Sequence, residues 1–250
     1  MRIVSPNSSL WFVLHASIFI SGVLLSWLGD TWLRAIGASL AATGVAGVMV
    51  YVYVARIERI ERGLEALEAF GLKKVFDGRS VRIREEYDSR CEKMHKQLDI
   101  MGFGLSSFLQ DHRDDLPGWK RKADVRILVI DPDFPDRQHA YSDQRDLEEQ
   151  SDRGRIRSDV ENFRNAFGSL IGTENGKTFE IKLYKCLPSI NVFRIDNELF
   201  WGPYLMNQAS RNAPTFLVKA GGVLFERITN HFDAIWNDPN LSVPLRKNGG

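Results

Sequence analysis

Residues 10–28 read LWFVLHASIFISGVLLSWL and contain, apart from His15, no side chain that is charged near neutral pH. As a helix this segment would be about 28 Å long, close to the roughly 30 Å hydrocarbon thickness of a bilayer. A second uncharged run, 35–55, is long enough as well, and only the short segment 29–34 separates the two. The sequence therefore predicts an antiparallel two-helix hairpin, 1–55, that spans a lipid bilayer. Aromatic side chains lie near the ends of both runs, where they favour the headgroup region: Trp11, Trp27, Trp32, Tyr51 and Tyr53.

Two other interpretations explain part of this pattern. A cleaved signal peptide accounts for Arg2 and one apolar run, but not for the second run. A buried hairpin of a soluble protein normally has polar residues along one face of each helix, and neither run has them. The turn has only Arg34 beside Asp30, so the basic residues predict that both termini are cytoplasmic. Arg2 precedes the first run, and Arg56, Arg59 and Arg62 follow the second.

Small residues form one face of the second run, which allows close packing against the first helix or against another subunit. These residues are Gly37, Ala41, Gly44 and Gly47. His15 is compatible with a pore or relay role, because polar groups inside a span are costly. The alternative is a histidine near the interface or hydrogen-bonded within the hairpin.

The segment 56–70 reads RIERIERGLEALEAF, and its apolar residues follow one another at spacings of three, four and three. Such spacing, flanked by Arg and Glu, is typical of a coiled-coil seam, here Ile57, Ile60, Leu64 and Leu67. It predicts a juxtamembrane helix that makes the protein a homo-oligomer. A helix that packs on its own domain explains the same spacing. From 71 to 90 we expect a charged linker leading into another helix, so that 56–95 is a connector.

The chain has 250 residues and a formal net charge of +1, but its charges are unevenly distributed. The first 55 residues contain two basic and one acidic side chain, and the other 195 contain 31 of each sign. This balance gives no strong nucleic-acid signal. Two cysteines, Cys91 and Cys186, exclude a disulfide-rich scaffold and a four-cysteine zinc site.

From residue 97 onward, strand-like apolar runs alternate with amphipathic helices. Strands are predicted at 98–104, 125–130, 179–185 and 215–219, helices at 105–111, 155–171 and 223–236, and a hairpin at 191–204. Asp196 and Asn197 form the predicted turn of that hairpin, and the polar segment 136–150 is a loop or an exposed helix. The alternation predicts an α/β domain, 96–240, with a largely parallel sheet covered on both faces, and a flexible tail, 241–250.

Two segments resemble parts of one phospholipase D superfamily repeat in amino-acid sequence. Residues 192–202 (VFRIDNELFWG) resemble its hairpin, and Phe232-x3-Trp236 resembles its closing helix. The opening 71–79 and the strand Asp99-Ile-Met-Gly102 resemble membrane-anchored and regulator-linked bacterial proteins with degenerate domains of this kind. The resemblance covers about 98–236. It implies an α/β fold with a mixed sheet covered by helices, preceded here by the membrane hairpin and the coiled-coil connector.

The motif His-x-Lys-x4-Asp, which carries the chemistry of that family, is not intact in this chain. If Asp196 is the motif's aspartate, Ser189 stands at the histidine position and Asn191 at the lysine position. In the family the histidine attacks phosphorus and the lysine stabilises the phosphate charge. A serine without an adjacent base is a poor nucleophile, and loss of the cation removes transition-state stabilisation. The departures imply a domain without this mechanism, and we assign no catalytic residue.

Metal and cofactor signals are weak as well. The carboxylates Asp131, Asp133 and Asp136 follow a strand, where they are compatible with a cation site or with ordinary turn chemistry. The histidines lack the spacing of zinc ligands. We therefore predict neither a metal nor a cofactor.

The resemblance implies a cleft that fits a phosphate group but lacks the catalytic side chains of the family. Arg194 is the first candidate for contact with an anion, since its guanidinium is a bidentate donor, and the alternative is an exposed hairpin charge. The residues expected to line or approach this cleft are Ser106, Ser189, Asn191, Arg194, Tyr204 and Asn207.

The leading functional hypothesis is a sensor or effector in the bacterial inner (cytoplasmic) membrane. Its domain would bind a small anionic ligand, such as a nucleotide, or a partner, and signal to the hairpin. Effectors of bacterial antiphage defence have a similar architecture. Two alternatives remain: a membrane-tethered phosphodiesterase, nuclease or lipase of phospholipase D type, and a structural membrane protein whose domain serves protein contacts.

Overall fold

The computed structural model describes residues 8–78 and 81–245. Arg2, which contributes to the predicted orientation, and residues 246–250 of the predicted tail lie outside the described residues. The chain divides into two compact units, Met1–Ala66 and Leu67–Gly250.

The first unit is a helical hairpin. Helix α1 (Ser8–Leu28) and helix α2 (Thr31–Phe70) are joined by two residues, and α2 is about 60 Å long. Both helices are long and apolar enough to cross a membrane, and little of either apolar stretch is buried. This agrees with the predicted pair of apolar helices. The juxtamembrane helix expected after the second run is the continuation of α2.

The small residues of α2 lie against α1. A Cβ atom at Gly44 would lie 2.6 Å from the backbone nitrogen of Phe19, and one at Gly37 would lie 2.5 Å from that of Ser26. His15 is stacked on Trp11 with ring centroids 4.6 Å apart, and its Nδ1 lies 2.9 Å from the Trp11 carbonyl oxygen. This is the arrangement of a histidine that is hydrogen-bonded within the hairpin.

In its described residues, the second unit forms a nine-stranded sheet with helices on both faces. Its helices are α3 (Val81–Lys93), α4 (Ser106–His112), α5 (Leu116–Lys122), α6 (Tyr141–Glu148), α7 (Arg155–Phe167) and α8 (Val223–Asn237). Its strands are β1 (Leu72–Phe76), β2 (Gln97–Gly102), β3 (Asp124–Ile130), β4 (Gly172–Glu174), β5 (Lys177–Tyr184), β6 (Ile190–Ile195), β7 (Glu198–Pro203), β8 (Thr215–Lys219) and β9 (Ser242–Pro244).

The sheet order is β1-β8-β7-β6-β2-β3-β5-β4, and β9 pairs with the end of β5. Only β2 with β3 and β3 with β5 are parallel among the described pairs. The prediction of a largely parallel sheet is therefore wrong, while the expectation of a mixed sheet covered by helices is confirmed. The reason is local: β6, β7 and β8 follow one another without the helical crossover that a parallel neighbour needs.

The two faces of the sheet are covered by different helices. Phe193 of β6 contacts Tyr87 of α3 and Phe108 of α4, whereas the next residue, Arg194, lies over the ring of Phe225 in α8. Successive strand residues point to opposite faces, so β6 separates the two layers of the core.

Three predicted segments differ from the structure. The expected linker 71–90 contains strand β1, which pairs with β8, and most of α3, whose Ile83, Tyr87 and Cys91 are buried in the core. The expected tail begins with strand β9, followed by a buried Leu245. The segment 136–150 contains helix α6, and its polar side chains are partly buried rather than exposed.

Candidate functional site

A cleft of about 610 Å³ opens at the carboxyl end of β2. The loop after β2, the start of α4, the first turns of α7, the beginning of β6 and the segment after β7 all contribute to its wall. The polar side chains that line it are Ser106, Ser107, Gln110, Glu149, Gln150, Ser151, Arg155, Asp159, Asn191, Tyr204, Ser210, Arg211 and Thr215. Carboxyl ends of parallel strands are the usual place for ligands in α/β sheets.

Gly102 and Gly104 lie in the wall of the cleft directly after β2. A Cβ atom at Gly104 would lie 2.5 Å from the Cβ of Asp159, so α7 can approach the loop only because this residue has no side chain. Between the glycines, the ring of Phe103 meets that of Tyr204 edge to face, with centroids 4.7 Å apart. This aromatic pair fixes the segment after β7 next to the end of β2.

The carboxylate of Asp159 is partly buried in the wall of the cleft, with 17% of its side chain exposed. Burial raises the pKa of Asp159, while a hydrogen bond with Ser106 and the charge of Arg155 lower it by less. The Arg155 guanidinium lies 3.6 Å from the Asp159 carboxylate and also pairs with Glu149. The cleft therefore holds a hydroxyl beside a partly desolvated carboxylate.

Arg145 lies behind the rim of the cleft and holds it in place through hydrogen bonds. Its side chain is only 2% exposed. It donates hydrogen bonds to the carboxylates of Glu148 and Glu149 (2.9 and 3.0 Å) and to the carbonyl oxygens of Leu205 and Gln208 (2.8 and 2.9 Å). Because all its nitrogen atoms donate, the buried charge is satisfied. Arg145 thus joins α6 to the segment after β7.

Asp146, next to Arg145, holds the start of α7. Its buried carboxylate accepts hydrogen bonds from the backbone nitrogens of Gly154 (2.8 Å) and Ile156 (3.1 Å). Burial raises the pKa of Asp146, and these two backbone bonds partly offset that rise. The amino end of α7 is therefore already occupied by a carboxylate of the same chain.

The structure brings three of the six predicted ligand-binding residues together. Ser106, Asn191 and Tyr204 line the cleft, with Asn191 where the resemblance implies a lysine. Ser189 and Asn207 are exposed and do not line it. Whether the three lining residues bind a ligand stays a prediction.

Arg194 does not reach the cleft, contrary to its expected role. Its guanidinium lies 3.3 Å from the Asp99 carboxylate and over the ring of Phe225, at 5.3 Å from the ring centroid. Asp196, which the resemblance aligns with the family's aspartate, is structural as well. Asp196 adopts a positive φ of 50° in the hairpin turn, and its carboxylate accepts hydrogen bonds from the backbone nitrogens of Lys96 (2.9 Å) and Gln97 (2.8 Å).

Sequence reasoning missed Glu149, Arg155 and Asp159. Arg155 and Asp159 are four residues apart on an amphipathic helix, and this spacing of opposite charges was a usable signal that they share a face. Nothing local indicates that this face meets the end of β2. Arg211 was missed too, because it lies in an irregular segment between β7 and β8.

The acidic segment after β3 has the features of a turn. The carboxylate of Asp131 accepts a hydrogen bond from the backbone nitrogen of Asp133 (3.1 Å), and that of Asp136 accepts one from Gln138 (2.8 Å). Asp133 itself pairs with Arg157. Among residues 8–78 and 81–245, no group of three or more His, Cys, Asp or Glu residues is placed to hold a metal ion.

No protein-family model and no curated protein matches the chain. Among solved structures, TrmBL2, an archaeal chromatin protein with a novel mode of DNA binding, is 12% identical with a TM-score of 0.41, covering 83% of this chain and 70% of that one. The phosphatidylserine synthase of Haemophilus influenzae Rd KW20 is 14% identical with a TM-score of 0.45, covering 69% of this chain and 39% of the synthase. Likeness at these levels carries no argument about activity or ligand.

Proposed function

We propose that this chain is a membrane-anchored sensor or effector whose α/β unit binds a small anionic ligand in the cleft and signals to the hairpin. The observation that carries the proposal is the composition of the cleft wall. It offers hydroxyl and amide groups around Asn191, but the residues that line it include neither a histidine nor a lysine. Such a wall can bind a polar molecule but lacks the groups of phospholipase D-type hydrolysis.

The charges at the rim favour a ligand with an anionic group. Arg155 is neutralised by Glu149 and Asp159. Arg211 is exposed and makes no ion pair with any residue in the described part of the chain. A nucleotide suits this arrangement, because its phosphate can meet Arg211 while its flat base can meet Phe103 and Tyr204.

The membrane part of the proposal follows from the two apolar helices. We propose the bacterial inner membrane, with both termini cytoplasmic and a role in antiphage defence. Membrane-impermeant thiol labelling of intact cells tests the orientation. A cysteine introduced by Asp30→Cys should react, and one introduced by Glu65→Cys should react only after permeabilisation. The reverse pattern would overturn the orientation.

Titration calorimetry on the full chain in lipid nanodiscs tests ligand binding, with ATP, cyclic AMP, glycerol 3-phosphate and inorganic phosphate as probes. We expect saturable binding of at least one probe, weakened by Ser106→Ala and by Arg211→Ala. Ser189→Ala is the matched control, because this serine is exposed outside the cleft. No heat with any probe, or equal losses for Ser106→Ala and Ser189→Ala, would overturn binding in this cleft.

One observation favours an alternative, a membrane-tethered hydrolase with an unfamiliar site. The Ser106 hydroxyl lowers the pKa of the Asp159 carboxylate, while burial raises that pKa by more. A carboxylate with a raised pKa is a better proton acceptor for such a hydroxyl than a fully solvated one. Turnover of phospholipid vesicles or of an oligonucleotide, abolished by both Ser106→Ala and Asp159→Asn, would replace the sensor proposal.

A further inference from the structure

The apolar run of helix α2 is apolar all round, and α1 covers only one side of it. Gly37 and Gly44 are buried against α1. On the opposite side a continuous stripe, which we name the α2 seam, follows alternating spacings of four and three residues. Its members are Trp32, Ile36, Ser39, Thr43, Ala46, Val50, Tyr53, Ile57, Ile60, Leu64 and Leu67, all of them exposed except the partly buried Ile57.

We propose that the α2 seam binds the α2 seam of a second copy of this chain, with the two helices parallel and in register. A spacing of four and three that continues over about five heptads is the pattern of a left-handed coiled coil. The inference rests on the proposed membrane anchoring, because two copies inserted in the same direction have parallel α2 helices at the same depth.

The part of the seam beyond the apolar run needs a protein partner. Lipid can cover the stretch up to Tyr53, but Ile60 and Leu64 are 53% and 58% exposed in a segment rich in Arg and Glu. An apolar stripe on such a helix is costly to leave in water. Inside the apolar run, Ser39, Thr43 and Ala46 keep the seam narrow, which allows two helices to approach closely.

Charges beside the seam favour a parallel second copy as the occupant. With Ile57 and Leu64 at a positions, Arg56 is at a g position and Glu61 at the following e position. In a parallel in-register pair the g residue of one helix meets the e residue of the other, so Arg56 faces the second copy's Glu61. Neither makes an ion pair within the described residues, whereas Glu58 and Arg62, on the outer side, pair with each other at 3.9 Å.

Cysteine scanning of the full chain in native membranes tests the proposal. Single cysteines are placed at 57, 58, 60, 62 and 64 in a Cys186→Ser background, in which Cys91 is buried. After mild oxidation we expect disulfide-linked dimers for Ile57→Cys, Ile60→Cys and Leu64→Cys, several-fold above those for Glu58→Cys and Arg62→Cys. Equal yields at all five positions, or a maximum at 58 and 62, would overturn the proposal.

A charge exchange provides a second measurement that does not depend on oxidation. Arg56→Glu and Glu61→Arg should each reduce the dimer fraction of the full chain in detergent, and the double variant should restore it. Losses that add up in the double variant would contradict the parallel register. Carbonate extraction shows separately whether the hairpin is inserted, and neither assay uses a ligand. Failure of ligand sensing and failure of the seam are therefore distinguishable.

Discussion

The Arg194 guanidinium lies 3.3 Å from the Asp99 carboxylate, beneath helix α8. Asp99 is 1% exposed, and Arg126 grips it from the neighbouring strand with two hydrogen bonds of 2.7 and 2.9 Å. Asp99 thus bridges two arginines in the layer between the sheet and α8, and Asp233 of α8 also pairs with Arg126 at 2.8 Å. The charge of Arg194 on the β6–β7 hairpin therefore contributes to the core of the unit.

Removal of the Asp99 carboxylate should lower the free energy of unfolding more than removal of the Arg194 guanidinium. Asp99→Ala leaves Arg194 without a carboxylate partner and Arg126 with Asp233 alone, and we expect a loss of about 3 kcal/mol in the free energy of unfolding. Arg194→Ala leaves Asp99 paired with Arg126, and we expect about 1 kcal/mol. Denaturant titration of the full chain in detergent measures both, with the exposed Arg121→Ala as control. A larger loss for Arg194→Ala than for Asp99→Ala would contradict the arrangement.

Arg145→Lys tests the connection between α6 and the cleft rim. Lysine keeps the charge but cannot reproduce the planar fork that reaches Leu205, Gln208 and Glu149 together. We expect a loss of about 3 kcal/mol in stability, as for a broken buried ion pair. Hydrogen exchange should also become faster in 205–212. Unchanged exchange there would show that other contacts hold this segment.

Asp159→Asn should change how stability depends on pH. Burial raises the pKa of Asp159 above its usual value of 3.8, so the folded chain binds this proton more tightly than the unfolded chain. Its contribution to stability therefore falls as the pH rises from the unfolded value through the folded one. The asparagine variant should lack this decrease in thermal unfolding scans at successive pH values.

Asp124→Asn serves as the control for that experiment because the pKa of Asp124 is shifted in the opposite direction. A hydrogen bond from the Thr178 backbone lowers the pKa of Asp124, so its contribution is present above the unfolded value and is lost as the pH falls. Two variants with the same pH profile as each other would contradict the assignment of these shifts.

Gly44→Ala should weaken the helical hairpin. The added Cβ would lie 2.6 Å from the Phe19 backbone nitrogen, so α1 and α2 must move apart. Gly63→Ala is the matched control, since nothing lies within 4 Å of the Cβ position there and alanine stabilises a helix by about 1 kcal/mol over glycine. Thermal unfolding of the full chain in detergent should show opposite changes for the two variants. A gain in stability for both would show that the hairpin is loosely packed.

The predictable parts of the fold are those whose signal is local. The uncharged runs, the strand predicted at 98–104 and the turn at Asp196 depend on neighbouring residues, and the structure contains each of them, with β2 ending at Gly102. Strand β1 lacked such a signal, because Leu72–Phe76 is mostly exposed and pairs with β8 at the sheet edge, far along the chain.

In the cleft as well, the residues with a local sequence signal could be predicted and the others could not. Asn191 and Tyr204 could be named from a resemblance in their own segment. The burial of Arg145 could not be predicted, because its acceptors in Leu205 and Gln208 are about sixty residues away and are backbone atoms. Every residue type has a backbone carbonyl oxygen, so the pattern of residue types does not indicate which of these oxygens accept a hydrogen bond from Arg145.

A single residue, Gly71, joins the last turn of α2 to strand β1. It adopts a φ of +73°, and a Cβ atom there would lie 2.8 Å from the Cα of Gly222. A residue with a side chain here would combine an unfavourable left-handed φ with a clash against the Gly222 backbone, so the passage from helix to strand within one residue depends on glycine.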